Sequence, residues 1–242
     1  MKVRAAIFDI YNTLLEIGPS PSDAEARWVE LCRSALAGKP ALDLKTFAVA
    51  CDAVIAREHS KARAAGIPHP EVFWPAVVCE ALPELSRLPR TKLEFFLIEH
   101  AALQRSVRLM PGVAEVLREL LREGIRAGLV SNSQPYTLAE LDQALGGAGL
   151  NRTMFLPELT FLSFEAGFSK PDPHVFRWLT ARLRGYGITP GEALIVGDRL
   201  DNDLEPAHAQ GFQAWHLTAV PSAWRASGDW GRLFDYLFIG PR

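Results

Sequence analysis

The chain has 242 residues, of which 48% are hydrophobic and 22% charged, with a formal net charge of -2. That balance is ordinary for a globular protein, and its basic residues are scattered, which excludes an electrostatic case for nucleic acid or an anionic membrane surface. Cys32, Cys51 and Cys79 stand too far apart for a CxxC pair, no leader-like apolar run precedes Asp9, and no segment reaches the ~20 apolar residues that span a bilayer. The expectation is a cytoplasmic protein with reduced thiols on helix faces.

Val3 to Phe8 is a short apolar run that reads as a buried strand, and it delivers Asp9 at its C-terminal end. A Pro/Gly/Ser cluster from Gly18 to Ser22 then breaks the pattern. Ser22 is placed to cap a helix from Asp23 to Ala37 that carries Trp28, Leu31 and Cys32 on one face. Leu44, Phe47, Cys51, Val54 and Ile55 recur at 3–4 spacing and predict a long amphipathic helix from Leu42 to Ala65. Glu71–Leu82 and Arg90–Arg105 read as two more helices. The block 18–107 is therefore expected to be an all-helical insertion without strands. The remainder, 1–17 and 108–242, is expected to be a single core.

From Met110 onward strands and helices alternate. Val113 to Leu121 is a helix ended by Gly124, and Ile125–Val130 is a strand leading into Ser131-Asn132-Ser133. A helix over Pro135–Leu145, a strand over Leu159–Phe164 and a helix over His174–Arg184 come next. Ala193–Val196 is a strand running into Gly197-Asp198, Leu204–Gln210 is a short helix, and Phe212–Leu217 and Tyr236–Ile239 are read as the last strands. The alternation predicts an α/β fold, a Rossmann-like parallel sheet covered on both faces.

In such a sheet the strand C-termini converge on one edge. The edge would gather Asp9 and Thr13, Ser131 and Asn132, Lys170, and Asp198 and Asp203. Clustered carboxylates repel one another unless a cation sits among them. Hard oxygen donors suit Mg²⁺, which commonly shares its shell with a substrate phosphate. Lys170 and the hydroxyls would take the other phosphoryl oxygens, and Asp9 is the candidate nucleophile through an acyl phosphate.

These stretches in this order, DIYNT, SNS, SKPD and GDRLDND, resemble the four motifs of the haloacid dehalogenase superfamily, whose Rossmann-like core is split by a helical cap. The resemblance spans the chain. It implies a hydrolase with Asp9 as nucleophile, Ser131 and Lys170 on the transferred group, and Mg²⁺ held by Asp9, Asp198, Asp203 and the Tyr11 backbone carbonyl. Asp201 is the alternative to Asp203 in this spacing. The expected substrate is a small phosphorylated metabolite, for a monomer or homodimer that binds neither nucleic acid nor membrane.

One position departs from the phosphatase pattern DxDxT. Tyr11 stands where the second Asp would protonate the leaving oxygen, and a hydroxyl of pKa about 10 is a poor base at neutral pH. Slow turnover is expected, with a bias to good leaving groups, and Tyr11→Asp should raise activity on alkyl phosphates. The 2-haloacid dehalogenases resemble DxYGT here and need no acid, because halide leaves unprotonated. They lack the GDxxxxD pattern that this chain keeps, which favours the phosphohydrolase. Dehalogenation and a non-catalytic binding relative stay open as alternatives.

Other polar residues read as scaffold. Arg57 and His59 fit a solvated cap-helix face, His69 a Pro-rich turn, His174 a helix start, and His208 and His216 the surface and a strand end. Trp28, Trp74 and Trp178 fit helix cores. Glu165 could support Lys170 or be an exposed loop acid, and Arg199 could touch substrate or pair with a carboxylate.

Overall fold

The computed structural model describes residues 3–36, 38, 41–220, 222–224 and 226–240. The chain begins with β1 (Ala5–Phe8) and β2 (Leu15–Gly18), then four helices, α1 (Ala24–Leu36), α2 (Leu44–Ala64), α3 (Trp74–Ala81) and α4 (Arg90–Gln104). It returns through β3 (Ser106–Leu109), α5 (Val113–Arg122), β4 (Arg126–Ser131), α6 (Pro135–Gly147), β5 (Phe155–Leu162), α7 (Ser163–Ala166) and α8 (Pro173–Arg184). It closes with β6 (Ala193–Gly197), α9 (Glu205–Ala209), β7 (Gln213–Leu217), β8 (Ser227–Gly228) and α10 (Trp230–Phe234).

Six strands form one sheet in the order β5-β4-β1-β6-β7-β8, every neighbouring pair parallel. All four residues of β1 are fully buried, so its run shows no polar alternation. The pleat still sorts them. Ala6 and Phe8 join Leu129 and Val196 against α5 and α6, whereas Ala5 and Ile7 join Val130 and Ile195 against α8. The expected Rossmann-like α/β core is therefore the observed one.

The helical cap has a core of its own. Trp28 stacks on Phe47 with ring centroids 4.9 Å apart, and Cys32, Cys51, Val78 and Phe96 are among the other members of the cluster. His100 lies buried within it, edge-on to Phe47 at 5.3 Å and stacked on Trp74 at 5.9 Å. Burial pushes this imidazole down to about 4. Trp178 is half-buried and packs edge-on against Phe161 in the main core. No helix among the described residues is long and apolar enough to cross a membrane.

Two sequence expectations fail. The stretch 18–107 is not strand-free at its ends, because β2 and β3 pair antiparallel and carry the chain out of the sheet and back. Each is only four residues long, too short for alternation to stand out. Tyr236–Ile239 is not a strand but lies in a helical turn, Asp235–Ile239. Phe234, Leu237 and Phe238 all pack on the main core, and their i, i+3, i+4 spacing belongs to a helix. The last strand is the two-residue β8. The Ala37 end of the first predicted helix lies outside the described residues.

Candidate active site

Three adjacent central strands, β4, β1 and β6, end side by side, and each delivers a polar residue. Ser131 is the last residue of β4, Asp9 comes directly after β1, and Asp198 directly after β6. Lys170 comes from the loop between α7 and α8, and Asp203 from a helical turn, Leu200–Leu204, beyond β6. The apolar strands fix where the chain stops being buried, and so set the height of the polar residues above the sheet.

Carboxylate oxygens of Asp9, Asp198 and Asp203 lie within 4.8 Å of one another. Lys170 Nζ donates to Asp9 Oδ1 at 2.7 Å and to Asp203 Oδ1 at 2.6 Å, and all three groups are buried. Burial pushes the Asp9 carboxyl up to about 6; Lys170 opposes the shift, while Asp203 and Asp198 add to it. Asp198 is likewise raised, by burial and then by Asp203. Burial works to lower Lys170, but its two carboxylates outweigh that and hold it above the usual lysine value.

The donor set fits a hard divalent cation, since three carboxylates face a single ammonium and all offer oxygen. Two hydroxyls fit a bound anion. Thr13 Oγ1 and Ser131 Oγ are both buried without a hydrogen-bond partner among the described residues, an arrangement that costs free energy unless a ligand completes it. Asn132 is placed otherwise. Its Nδ2 donates to the Lys170 carbonyl at 2.9 Å and its Oδ1 accepts from the Lys170 N–H at 2.8 Å, so its amide holds the lysine's backbone.

Local geometry accounts for the loop after β1. Asn12 adopts a left-handed φ of 56°, which Asn tolerates better than most side chains, and its N–H reaches the Leu15 carbonyl at 2.7 Å. Gly197 is equally constrained, because a Cβ there would lie 2.5 Å from Asp203 Oδ2. Asp201 is exposed and pairs with Arg199 at 2.7 Å, away from the cluster. Glu165 is exposed, and Arg57 pairs with Glu80 and Glu58 on the cap surface. His174 contacts Asp172 Oδ1 at 2.7 Å at the start of α8.

The Tyr11 side chain belongs to a different cluster. Its hydroxyl lies against Glu140 Oε2, 2.9 Å from Thr137 Oγ1 and 2.6 Å from Arg105 Nη2, and the Arg105 guanidinium sits 4.5 Å over its ring. Burial, then Glu140, raise this hydroxyl above its ordinary value against the opposing pull of Arg105. A phenol so placed is no base at neutral pH.

A family model described as haloacid dehalogenase-like hydrolase matches residues 3–211. The chain belongs to the haloacid dehalogenase-like hydrolases. Within that family it is 34% identical over 145 residues to a phosphoserine phosphatase of Thermus thermophilus, covering 59% of this chain and 53% of that one. It is 29% identical over 107 residues to a glyceraldehyde 3-phosphate phosphatase of Pyrococcus furiosus, covering 44% and 41%. These matches span about half the length of the relatives or less. A longer match, 27% identical over 214 residues and covering 87% and 81%, joins it to an N-acetylmuramic acid 6-phosphate phosphatase of Pseudomonas putida. Its fold is that of a 2-haloacid dehalogenase from Pseudomonas syringae, with a TM-score of 0.62, 19% identity and coverage of 97% and 98%.

Several residues beside this site carry no signal in the sequence. Arg105, Thr137 and Glu140 are single polar residues on or beside helices, with no motif to mark them. His216, read from the sequence as a strand end, lies one residue inside the end of β7, where its Nε2 donates to the Asp198 carbonyl at 3.0 Å while Nδ1 takes the Ser222 hydroxyl at 2.6 Å. It thereby steadies the loop that carries Asp198. Its only mark in the sequence is its place near the end of a short apolar run.

Proposed function

We propose that the chain is a Mg²⁺-dependent phosphohydrolase of the cytoplasm that acts on a small phosphorylated metabolite through an aspartyl phosphate on Asp9. One observation carries this: Asp9, Asp198, Asp203 and Lys170 converge beside two buried, unpartnered hydroxyls. The phosphatases among its relatives support it.

Lys170 engages Asp9 through Oδ1, which leaves attack on phosphorus to Oδ2. Thr13 and Ser131 hydroxyls and the Lys170 ammonium hold phosphoryl oxygens as charge builds on them. Asp9, Asp198, Asp203 and the Tyr11 carbonyl would hold Mg²⁺, which supplies further charge neutralisation at the phosphoryl group. Water then hydrolyses the acyl phosphate. Asn132 keeps the Lys170 backbone in register throughout. With Tyr11 in the acid position, leaving groups that depart without a proton are favoured, and alkyl phosphates turn over about 10²–10⁴-fold more slowly than they would with a general acid.

The test is phosphate release from an activated aryl phosphate, with Mg²⁺ and with chelator. Release should require the metal and fall on the order of 10⁴-fold or more in Asp9→Asn. Metal-independent release that survives Asp9→Asn would sink the proposal. Tyr11 itself favours a second reading, hydrolysis of a C–halogen bond by Asp9, for which chloride release from a 2-chloro acid in chelator is the sign.

A further inference from the structure

The first turns of α6 are where the core receives the cap. Gln134 Nε2 donates to the Val72 carbonyl at 2.9 Å and to Glu71 Oε1 at 3.0 Å, and its Oε1 accepts from the Trp74 N–H at 2.9 Å. Ser163 donates to Glu71 Oε2 at 2.7 Å and accepts from the Ser133 N–H at 2.9 Å. The loop before α3 is thus tied to residues just after Ser131. The Gln134 N–H reaches Thr137 Oγ1 at 3.1 Å, and that same hydroxyl meets Tyr11. One turn on, Glu140 meets Tyr11 and also Arg105, at 3.2 Å, where the last cap helix ends.

A phenol hydroxyl has one proton to give and two lone pairs to receive. Tyr11 donates its one hydrogen bond to Glu140, and Arg105 and the Thr137 hydroxyl fill the lone pairs. Nothing remains for a leaving group or a water. The hydroxyl that replaced an acid is saturated by scaffold, and one of its partners comes from the cap.

We propose that Tyr11 is a positioning residue: with Arg105 and Glu140 it anchors the cap to the nucleophile loop, so that cap docking holds the Asp9 loop ready for substrate. The proposal concerns the same site and rests on the phosphohydrolase reading for its kinetic part only. Breaking the anchor should weaken substrate binding more than it slows chemistry. Tyr11→Asp installs a carboxylate and breaks the anchor together, so kcat on an alkyl phosphate should rise while KM rises too.

The experiment uses the full chain as native, Tyr11→Phe, Arg105→Met and Tyr11→Asp. Amide hydrogen exchange should quicken about tenfold at 71–74 and 104–106 in each variant while β1, β4 and β6 keep their protection. KM for an aryl phosphate should rise roughly tenfold in Tyr11→Phe and Arg105→Met, with kcat within about threefold of native. Unchanged exchange in Tyr11→Phe and Arg105→Met, or a Tyr11→Asp that gains kcat at the native KM, overturns the anchor. Tyr11→Phe keeps the ring under Arg105, so the test stands if Arg105→Met fails to fold. If no form of the protein releases phosphate, the phosphohydrolase reading fails, and the exchange data alone decide the anchor.

Discussion

Asp9 and Tyr11 are two residues apart and serve two ionic clusters of opposite character, the second only partly buried. The Asp9 cluster sets three carboxylates against one ammonium, whereas the Tyr11 cluster sets one guanidinium against one carboxylate with a neutral phenol between them. Charge imbalance in a buried site is costly and is tolerated where a cation and a charged substrate complete it. In the Tyr11 cluster the charges balance and the phenol hydroxyl is saturated, although Arg105 Nε lies buried without a hydrogen-bond partner among the described residues. The contrast separates chemistry from architecture more sharply than conventional motif reading, which assigns Asp9 and Tyr11 to one catalytic string.

The comparison is tested hardest by Glu140→Gln. Removing one partner leaves Arg105 half-buried and unbalanced, and denaturant unfolding should show a loss of roughly 3 kcal/mol, the low end of the range for a buried pair because Arg105 is a fifth exposed. Asp198→Asn should instead leave metal-free stability unchanged or slightly higher, since it relieves repulsion from Asp203. If Asp198→Asn were the more damaging of the two, the distinction would collapse. Mg²⁺ at a hundred times its Kd should stabilise the native protein by about 2.7 kcal/mol, read as a Tm rise of roughly 5–10 °C. Glu140→Gln should keep that response and Asp198→Asn should lose most of it.

A smaller effect sets the cap apart from both clusters. His100 is buried neutral, with its pKa lowered to about 4. The unfolded chain binds this proton near pH 6.5, so stability falls as pH drops from 6.5 towards 4, by roughly 2 kcal/mol at pH 4.5. His100→Phe should flatten that part of the stability profile; an unchanged profile would place the acid-sensitive group elsewhere.

The Asp9 cluster is legible in the sequence because apolar runs announce the strands, and the end of a strand marks the polar residue beyond it as a candidate for the site. Asp9, Ser131 and Asp198 are found that way, whereas Lys170 and Asp203 lie several residues beyond a strand and are marked by the SKPD and GDRLDND strings; the structure brings the three carboxylates and Lys170 together. The Tyr11 cluster is not legible. Arg105 and Glu140 are 35 residues apart on different bodies, and their helices have the ordinary mix of polar and apolar residues. Only the packing of α4 on α6 brings them to one phenol. The sequence shows Tyr11 as a weak base, which its surroundings deepen, but its contact with the cap has no counterpart in local sequence. The misread turn at 235–239 teaches the same lesson on a smaller scale: a short apolar run carries no period of its own, and the neighbour that settles it, Phe234, stands just outside.

The ribbon of β2 and β3 has a consequence for how this chain could be rebuilt. Gly18 and Ser106 are direct partners, so the polypeptide departs and returns at adjoining points despite the long excursion between them. To the sheet, that excursion is equivalent to the tip of a hairpin. A two-residue turn such as Asn-Gly, grafted between Gly18 and Ser106, satisfies the same geometry. So does any foreign insert whose two ends lie a strand's width apart. The junction is an exchangeable socket: the machinery at the sheet edge can be kept while what covers it is traded for something else.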